Sequence, residues 1–339
     1  MKSLSHKFLL CFWLLLTSCQ PQNQEMQFEG SAQGTSYHVK IVPTANTFDM
    51  DKTKQLIEDA LQTIDLKLSN YRDDSEISII NKHKTTDWQS ASPEIIELVN
   101  IATYVYSRSQ GCYDLTIKPL FDLWGFSKHE NRIPNQEEIK QALIHVGMPL
   151  LEIDKINSRI RKLDPDVQID LSSIAQGYSV SVIANLLETQ GIQNYLVEIG
   201  GEMKVKGRNG HHNPWRVAIE KPSPFSREVQ KVLDIHQQNG SAIMTAGTYR
   251  NFFAEQGQTY SHIINPKTGS PVTHHLLSVT VLHDDPTWAD AWDTALLCVG
   301  EVDAAKIAEA EQLKVLLIYQ EDNSLQEYIS KAFATAQEN

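Results

Sequence analysis

Between Trp288 and Leu297 the chain runs Trp-Ala-Asp-Ala-Trp-Asp-Thr-Ala-Leu-Leu, an apolar segment that carries two carboxylates and a hydroxyl. Offsets of three and four residues put Asp290, Asp293 and Thr294 on one face of a helix, because side chains at those spacings are neighbours. Burying an unpaired carboxylate is costly, so a fold that encloses this helix must set a cation or dense hydrogen bonding against its acidic face. Hard oxygen ligands of this kind suit Mg²⁺ or Ca²⁺ rather than zinc or copper. The simpler reading of the segment by itself is an amphipathic helix whose acidic face is solvated.

The N-terminus sets the compartment. Lys2 and Lys7 precede nine apolar residues, Phe8 to Leu16, and then comes Leu16-Thr-Ser-Cys19. Such a run is too short for a transmembrane helix, which needs about 20 residues. It reads as a signal-peptide core, 1–18, outside the fold. Its ending resembles a bacterial lipobox, which implies cleavage before Cys19 and acylation of that cysteine, with two chains giving a stable membrane anchor. Residues 19–29 are polar and Gln-rich and read as a tether. The remaining chain, about 310 residues, is enough for one large domain over 30–335. A net charge of −12 argues against a nucleic-acid partner. Cys112 and Cys298 are either free or bonded to each other, so no disulfide framework holds the fold.

Helical spacing recurs through Leu56, Ile57, Ala60, Leu61, Ile64 and Leu68. A second helix opens at Ser92-Pro93, cap and first-turn proline, and runs to about Ser109. A third spans Pro134 to Gly147, and a long one runs from Ser172 to Gln190 ahead of Gly191. Strand-like runs occupy 27–42, 158–163 and 167–171, then 194–199, 202–207, 215–220, 229–236, 241–245, 259–264 and 276–283. The acidic helix at 287–298, a helix from Val302 to Gln312 and a strand at 314–319 complete the pattern. A helix-rich first half and a strand-rich second half predict an α+β fold in a single domain, not a repeating βαβ one.

Five other segments carry candidate chemistry. Tyr71-Arg72 offers a stacking ring and a phosphate partner, with Asp74 or Ser75 as the cap of a following helix. Gly111-Cys112-Tyr113-Asp114, with Trp124-Gly125-Phe126 beyond it, can line a pocket for a flat ring, or pack a core. Asp170 to Tyr178 passes from strand to helix, and a helix N-terminus binds phosphate through its free N–H groups, although Asp170 and Ser173 also suit plain caps. His262, just before Ile264-Asn265-Pro266, is placed for general-base work or a phosphate contact. Gly200-Gly201 forms a tight turn that lets a ligand approach, or a bulge.

In order and number these segments resemble the FAD:protein FMN transferase family, the ApbE type of bacterial lipoprotein, over about Gly30 to Tyr319. The carriers are Gly34-Thr35, Tyr71-Arg72-Asp-Asp-Ser75, Asp114-Leu-Thr116, Asp170 to Tyr178, Gly200-Gly201, His262-Ile-Ile264 and Asp290 with Asp293-Thr294. The resemblance implies an ApbE-like, T-fold-like enzyme that moves FMN from FAD onto a Thr or Ser hydroxyl of a target protein, releasing AMP and using Mg²⁺. It implies Asp290, Asp293, Thr294 and Ser173 as metal ligands, and His262 and Asp290 as catalytic groups. FAD contacts carry over to Gln33, Tyr71, Cys112 and Tyr113, and to Asp114, Asp170, Gln176 and Ile264. The implied partner is a periplasmic or membrane redox protein bearing a Thr/Ser flavinylation motif, met on the periplasmic side of a bacterial membrane. FAD hydrolysis to FMN and AMP, and FAD binding without turnover, are the alternatives. The sequence departs from the family at Gln33, Gln176, Thr248 and Asn265, and the loss of charge at 176 and 265 weakens the case for either as acid, base or metal ligand.

Overall fold

Alternation along the strands of the C-terminal half resolves into a sheet buried on both faces. The computed structural model describes residues 25–338 except 44–47, 128–129, 224–227, 238, 256 and 323, so the signal segment and Cys19 lie outside the described residues. The first half contains β1 (Met26–Ala32), β2 (Thr35–Ile41), α1 (Met50–Leu68), α2 (Glu76–Lys82), β3 (Gln89–Ser90), α3 (Pro93–Arg108), α4 (Lys118–Leu123), α5 (Gln136–Leu143), β4 (Leu151–Asp154), β5 (Arg159–Lys162) and α6 (Ala175–Thr189). The second contains β6 (Tyr195–Ile199), β7 (Glu202–Lys206), β8 (Trp215–Glu220), β9 (Val229–Ile235), β10 (Ser241–Gly247), β11 (Phe252–Glu255), β12 (Gln258–Ser261), β13 (Ile264–Asn265), β14 (Ser270–Pro271) and β15 (Leu276–His283). It ends with α7 (Pro286–Val299), α8 (Glu301–Ala310), β16 (Lys314–Glu321), β17 (Ser324–Ile329) and α9 (Lys331–Glu338).

Eight strands form an antiparallel sheet in the order β1-β2-β6-β7-β10-β15-β16-β17. Side chains of a strand point alternately to its two faces. Thus Met244, Val279, Val281 and Leu317 join the main core, while Ile243, Leu282, Leu316 and Ile318 join a second. The main core lies under α1, α3, α6 and α7. The second lies under the β8–β9 hairpin and α9. A third, smaller cluster joins Trp124 and Phe126 to Ile139 and Ile264, with Phe253 and Tyr260 of the β11–β12 hairpin packed on it. The single-domain α+β reading holds. Among the described residues no helix is long and apolar enough to cross a membrane.

Several local expectations are corrected. The strand expected over 27–42 is a hairpin, turned at Gln33 (φ 53°) and Gly34 (φ 74°), the two successive positive values of a type I′ turn. β1 starts inside the stretch read as tether, and α9 runs past 335. The run 259–264 splits into β12 and β13, and α5 begins at Gln136 behind an Asn135/Glu138 capping box, later than Pro134. β4, β17 and α9 were not anticipated. β17, Ser-Leu-Gln-Glu-Tyr-Ile, is a largely polar edge strand with little apolar alternation to betray it.

The run 167–171 is extended but pairs with no strand. Asn81 brackets Ile169, donating to its carbonyl at 2.8 Å and accepting its N–H at 2.7 Å. Asn70 donates to the same carbonyl at 2.7 Å and accepts from the Leu171 N–H at 2.8 Å. Two side-chain amides, with the Leu115 carbonyl accepting the Asp170 N–H at 2.7 Å, therefore replace a neighbouring strand. Nearby, the buried Lys162 ammonium donates to the carbonyls of His83 at 2.6 Å, Pro165 at 3.2 Å and Ile80 at 3.3 Å, which ties down the C-terminal end of α2.

Candidate active site

The face of α7 that the sequence marks out is enclosed by protein. Asp293 is 1% exposed and Asp290 6%, so the acidic face is not a solvated one. α7 opens with Asp285 accepting the Thr287 N–H and Pro286 in the first turn, and its apolar flanks, including Trp292 and Leu296, pack into the main core. α6 crosses it closely. A Cβ on Gly177 would lie 2.5 Å from the Asp290 Cβ and from the Pro286 carbonyl oxygen, so only glycine permits the approach.

That approach turns the start of α6 toward the carboxylate. Gly177 is the third residue of α6, and helix N–H groups at this position lack an intrahelical partner. It donates to Asp290 Oδ2 at 2.7 Å. The helix N-terminus expected to take phosphate thus spends one donor on Asp290. α6 also starts at Ala175, leaving Ser172 and Ser173 in the turn before it.

A cleft of about 360 Å³ opens over these groups. Its walls bring together Tyr71, Cys112, Tyr113, Asp114, Asp170 and Ser173, and from elsewhere in the chain Gln176, His262, Ile264, Asp290, Asp293 and Thr294. Arg72, whose guanidinium pairs with Asp74 and Asp65, is not in this wall, and neither is Gln33. Gln33 lines a second hollow that shares Tyr71, Ser172 and Gln176 with the first. Its Nε2 donates to Ser179 Oγ at 2.6 Å, and its buried Oε1 has no partner. Tyr71, 71% exposed, stands where the two hollows meet.

Several of these side chains have structural partners. Asp114 accepts from the Thr116 N–H and hydroxyl and the Met148 N–H, and burial raises its pKa. Asp170 accepts from the Ser172 N–H at 2.8 Å. The Tyr113 hydroxyl donates to the Ser173 carbonyl at 3.2 Å, and burial pushes its pKa well up. Cys112 is disulfide-bonded to Cys298 of α7, which settles the state the sequence left open. Ser75, not Asp74, caps α2.

The electrostatics are lopsided. Burial raises Asp290 from the ordinary carboxylate value to about 7. Burial, together with Glu202 and Asp290, raises Asp293 well above it. Glu202 is the residue that sequence reasoning missed: 8% exposed at the start of β7, it accepts the Thr245 N–H at 3.1 Å and is itself raised by burial and Asp290. Its signal was its place directly after Gly200-Gly201, in an inward phase of the strand. Three buried carboxylates with no cationic side chain among their hydrogen-bond partners fit a bound divalent cation, with the Thr294 hydroxyl, 3.3 Å from Asp293 Oδ1, as a further oxygen. Among the described residues, the trio with His, Asp or Glu ligand atoms within 4.8 Å of one another is His145, Asp164 and Asp166. It lies outside the cleft wall, and Lys84 already pairs with Asp166.

His262 has its Nδ1 2.9 Å from the Asn251 carbonyl oxygen. A carbonyl only accepts, so Nδ1 carries the proton and Nε2 is left with its lone pair. Burial lowers the His262 pKa, which favours this neutral form.

The ApbE family profile matches residues 33–317. The chain belongs to the ApbE family. It is 37% identical to the FAD:protein FMN transferase of Vibrio cholerae serotype O1 over 322 residues, 94% of this chain and 95% of that protein. It is 35% identical to the FAD:protein FMN transferase of Escherichia coli K12 over 318 residues, 92% of this chain and 90% of the relative. The flavin transferase ApbE of Vibrio cholerae superposes with a TM-score of 0.84 at 36% identity, covering 92% of this chain and 99% of its own. The apo flavinyl transferase ApbE of Pseudomonas stutzeri gives 0.84 at 32%, covering 93% and 98%. The ApbE match begins at Gln33, in the hairpin turn, and runs past the helix that carries Asp290, so residues of both hollows lie within it.

Proposed function

We propose that this protein is an Mg²⁺-dependent FAD:protein FMN transferase, acting on a Thr or Ser hydroxyl of a target protein. The observation that carries the reading is the buried carboxylate group of Asp290, Asp293 and Glu202, which needs a cation where a phosphate must also sit. Asp290, Asp293 and Thr294 would hold Mg²⁺, with Ser173 contributing an oxygen. The ion supplies charge neutralisation for the pyrophosphate oxygens.

The chain's own groups do the rest. The Gly177 N–H fixes the Asp290 carboxylate in place. Tyr71, where the hollows meet, offers a face on which an aromatic ring stacks. His262 Nε2 takes the proton of the incoming hydroxyl as its oxygen bonds to the FMN-side phosphorus. The bond from that phosphorus to the bridging oxygen breaks, and the oxygen leaves on AMP with its electron pair.

Two features support a lipid-anchored, periplasmic placement: the lipobox-like Leu16 to Cys19 and a Cys112–Cys298 disulfide, which persists in oxidising compartments. The target would then be a redox protein exposed on the same side of the membrane.

Incubation with FAD, Mg²⁺ and a peptide carrying a Thr flavinylation motif should add the mass of FMN to the peptide and release AMP. Free FMN and AMP with unmodified peptide would instead make it an FAD hydrolase, and unchanged FAD a binding protein. The Asp290→Ala, Asp293→Ala double variant should lose about 10³-fold or more in rate. Full transfer by that variant would sink the metal assignment.

A further inference from the structure

The charge inventory of the cleft contains one residue of the opposite sign. Asp114, Asp170, Glu202, Asp290 and Asp293 line it, and among the described lining residues Arg250 is the only lysine or arginine. Arg250 lies in the loop between β10 and β11. Its guanidinium pairs with Glu220 at the end of β8, and its central carbon stands 5.6 Å from the centre of the Tyr249 ring. The side chain is 51% exposed while still lining the cleft, which places it at the rim. A solvent-exposed ion pair of this kind is screened and weak, so its guanidinium is exchangeable. A phosphate group, whose oxygens also match the planar fork and which gains a second charge when released on AMP, competes with the carboxylate for it.

Building on the transferase reading above, we propose that Arg250 is a phosphate-binding residue for the AMP half of FAD, exchanging Glu220 for the phosphate at the cleft rim. In the transfer step the acceptor oxygen bonds to the FMN-side phosphorus and the bond to the bridging oxygen breaks. The bridging oxygen stays with AMP, whose phosphate goes from one negative charge to two. The new charge forms on the fragment that must leave through the rim, where Arg250 stands. Glu220 then recovers the guanidinium as AMP departs. The acceptor proton leaves separately, on His262.

Equilibrium binding of AMP and of adenosine, in the presence of Mg²⁺, isolates the phosphate contact. The intact protein should prefer AMP. Arg250→Ala should weaken AMP binding by about 10- to 100-fold and leave adenosine binding unchanged, the range of a lost charged hydrogen bond. Arg250→Lys should retain part of the preference, because it keeps the charge but not the fork. Glu220→Gln should keep the AMP preference, since it removes only the resting partner. An unchanged AMP preference in Arg250→Ala overturns the proposal, as does a loss in Glu220→Gln equal to that in Arg250→Ala, which would show that the ion pair matters and not the phosphate contact. Peptide flavinylation by the unaltered protein, run alongside, separates the two readings. No transfer with an Arg250-dependent AMP preference removes the transferase reading alone, and transfer without that dependence removes the Arg250 contact alone.

Discussion

Asp290 holds its proton more tightly in the folded protein than in the unfolded chain, because its pKa rises from an ordinary carboxylate value to about 7 on burial. For such a group the contribution to stability is fully present below the unfolded pKa and is lost as pH rises through the folded one. The metal-free protein should therefore lose stability between about pH 4 and about pH 7, by on the order of 1–4 kcal/mol. Mg²⁺ favours the ionised carboxylate, so it should raise the melting temperature more at about pH 8 than at about pH 5, with protons released on binding. Calorimetric melts across that range check both, and a metal-free melting temperature that climbs toward pH 8 would contradict the assignment. Asp290, Asp293 and Thr294 were legible because one helix carries all three at contact spacing. Glu202 and Arg250 were not: they reach the cleft from a strand start and a loop, and no local pattern joins either to α7.

At the scale of elements the site depends on how closely α6 and α7 cross. Gly177→Ala would push a methyl group against the Asp290 Cβ and the Pro286 carbonyl. The helices must part, at a cost of about 1–3 kcal/mol, and the hydrogen bond to Asp290 lengthens with them. Urea denaturation should report the lost stability and Mn²⁺ titration a weaker cation site. A variant with unchanged stability and cation affinity would show that α6 and α7 do not cross at this contact. The long strands of the C-terminal half were readable because both faces of the sheet are covered, which makes the central ones near-continuous apolar runs such as Val315 to Ile318, with successive residues going to opposite cores. The run 167–171 misled for a related reason. Its apolar side chains alternate as in a strand, with Ile169 and Leu171 in the main core, but its backbone bonds go to the Asn70 and Asn81 side chains and the Leu115 carbonyl, not to a strand. Periodicity reports burial, and burial does not say what satisfies the backbone.

At the scale of the whole molecule, the Cys112–Cys298 bond joins positions 186 residues apart and fastens the Tyr113–Asp114 wall to the C-terminal end of α7. Constraining so long a loop in the unfolded chain stabilises the fold by about 5 kcal/mol in the chain-entropy account. Reduction, or replacement of both cysteines by serine, should lower stability by about 2–5 kcal/mol, measured by denaturant melts with and without reductant. Protein taken untreated from its host should show no alkylatable thiol at either position, and free thiols there would argue against the periplasmic placement. The pairing itself could not be read from the sequence, because a separation of that length carries no local signature.

The same economy of charge shapes Lys162. Its ammonium sits among the carbonyls of His83, Pro165 and Ile80, the sort of oxygen cage that other proteins fill with a structural ion. Here the counter-charge is tethered to the chain and cannot be diluted away. It stiffens the end of α2, from which Asn81 reaches across to hold Ile169 beside Asp170 in the cleft wall. If the cleft holds the proposed cation, a chelating agent should withdraw it and still leave this bank of the cleft standing, ready to be reloaded.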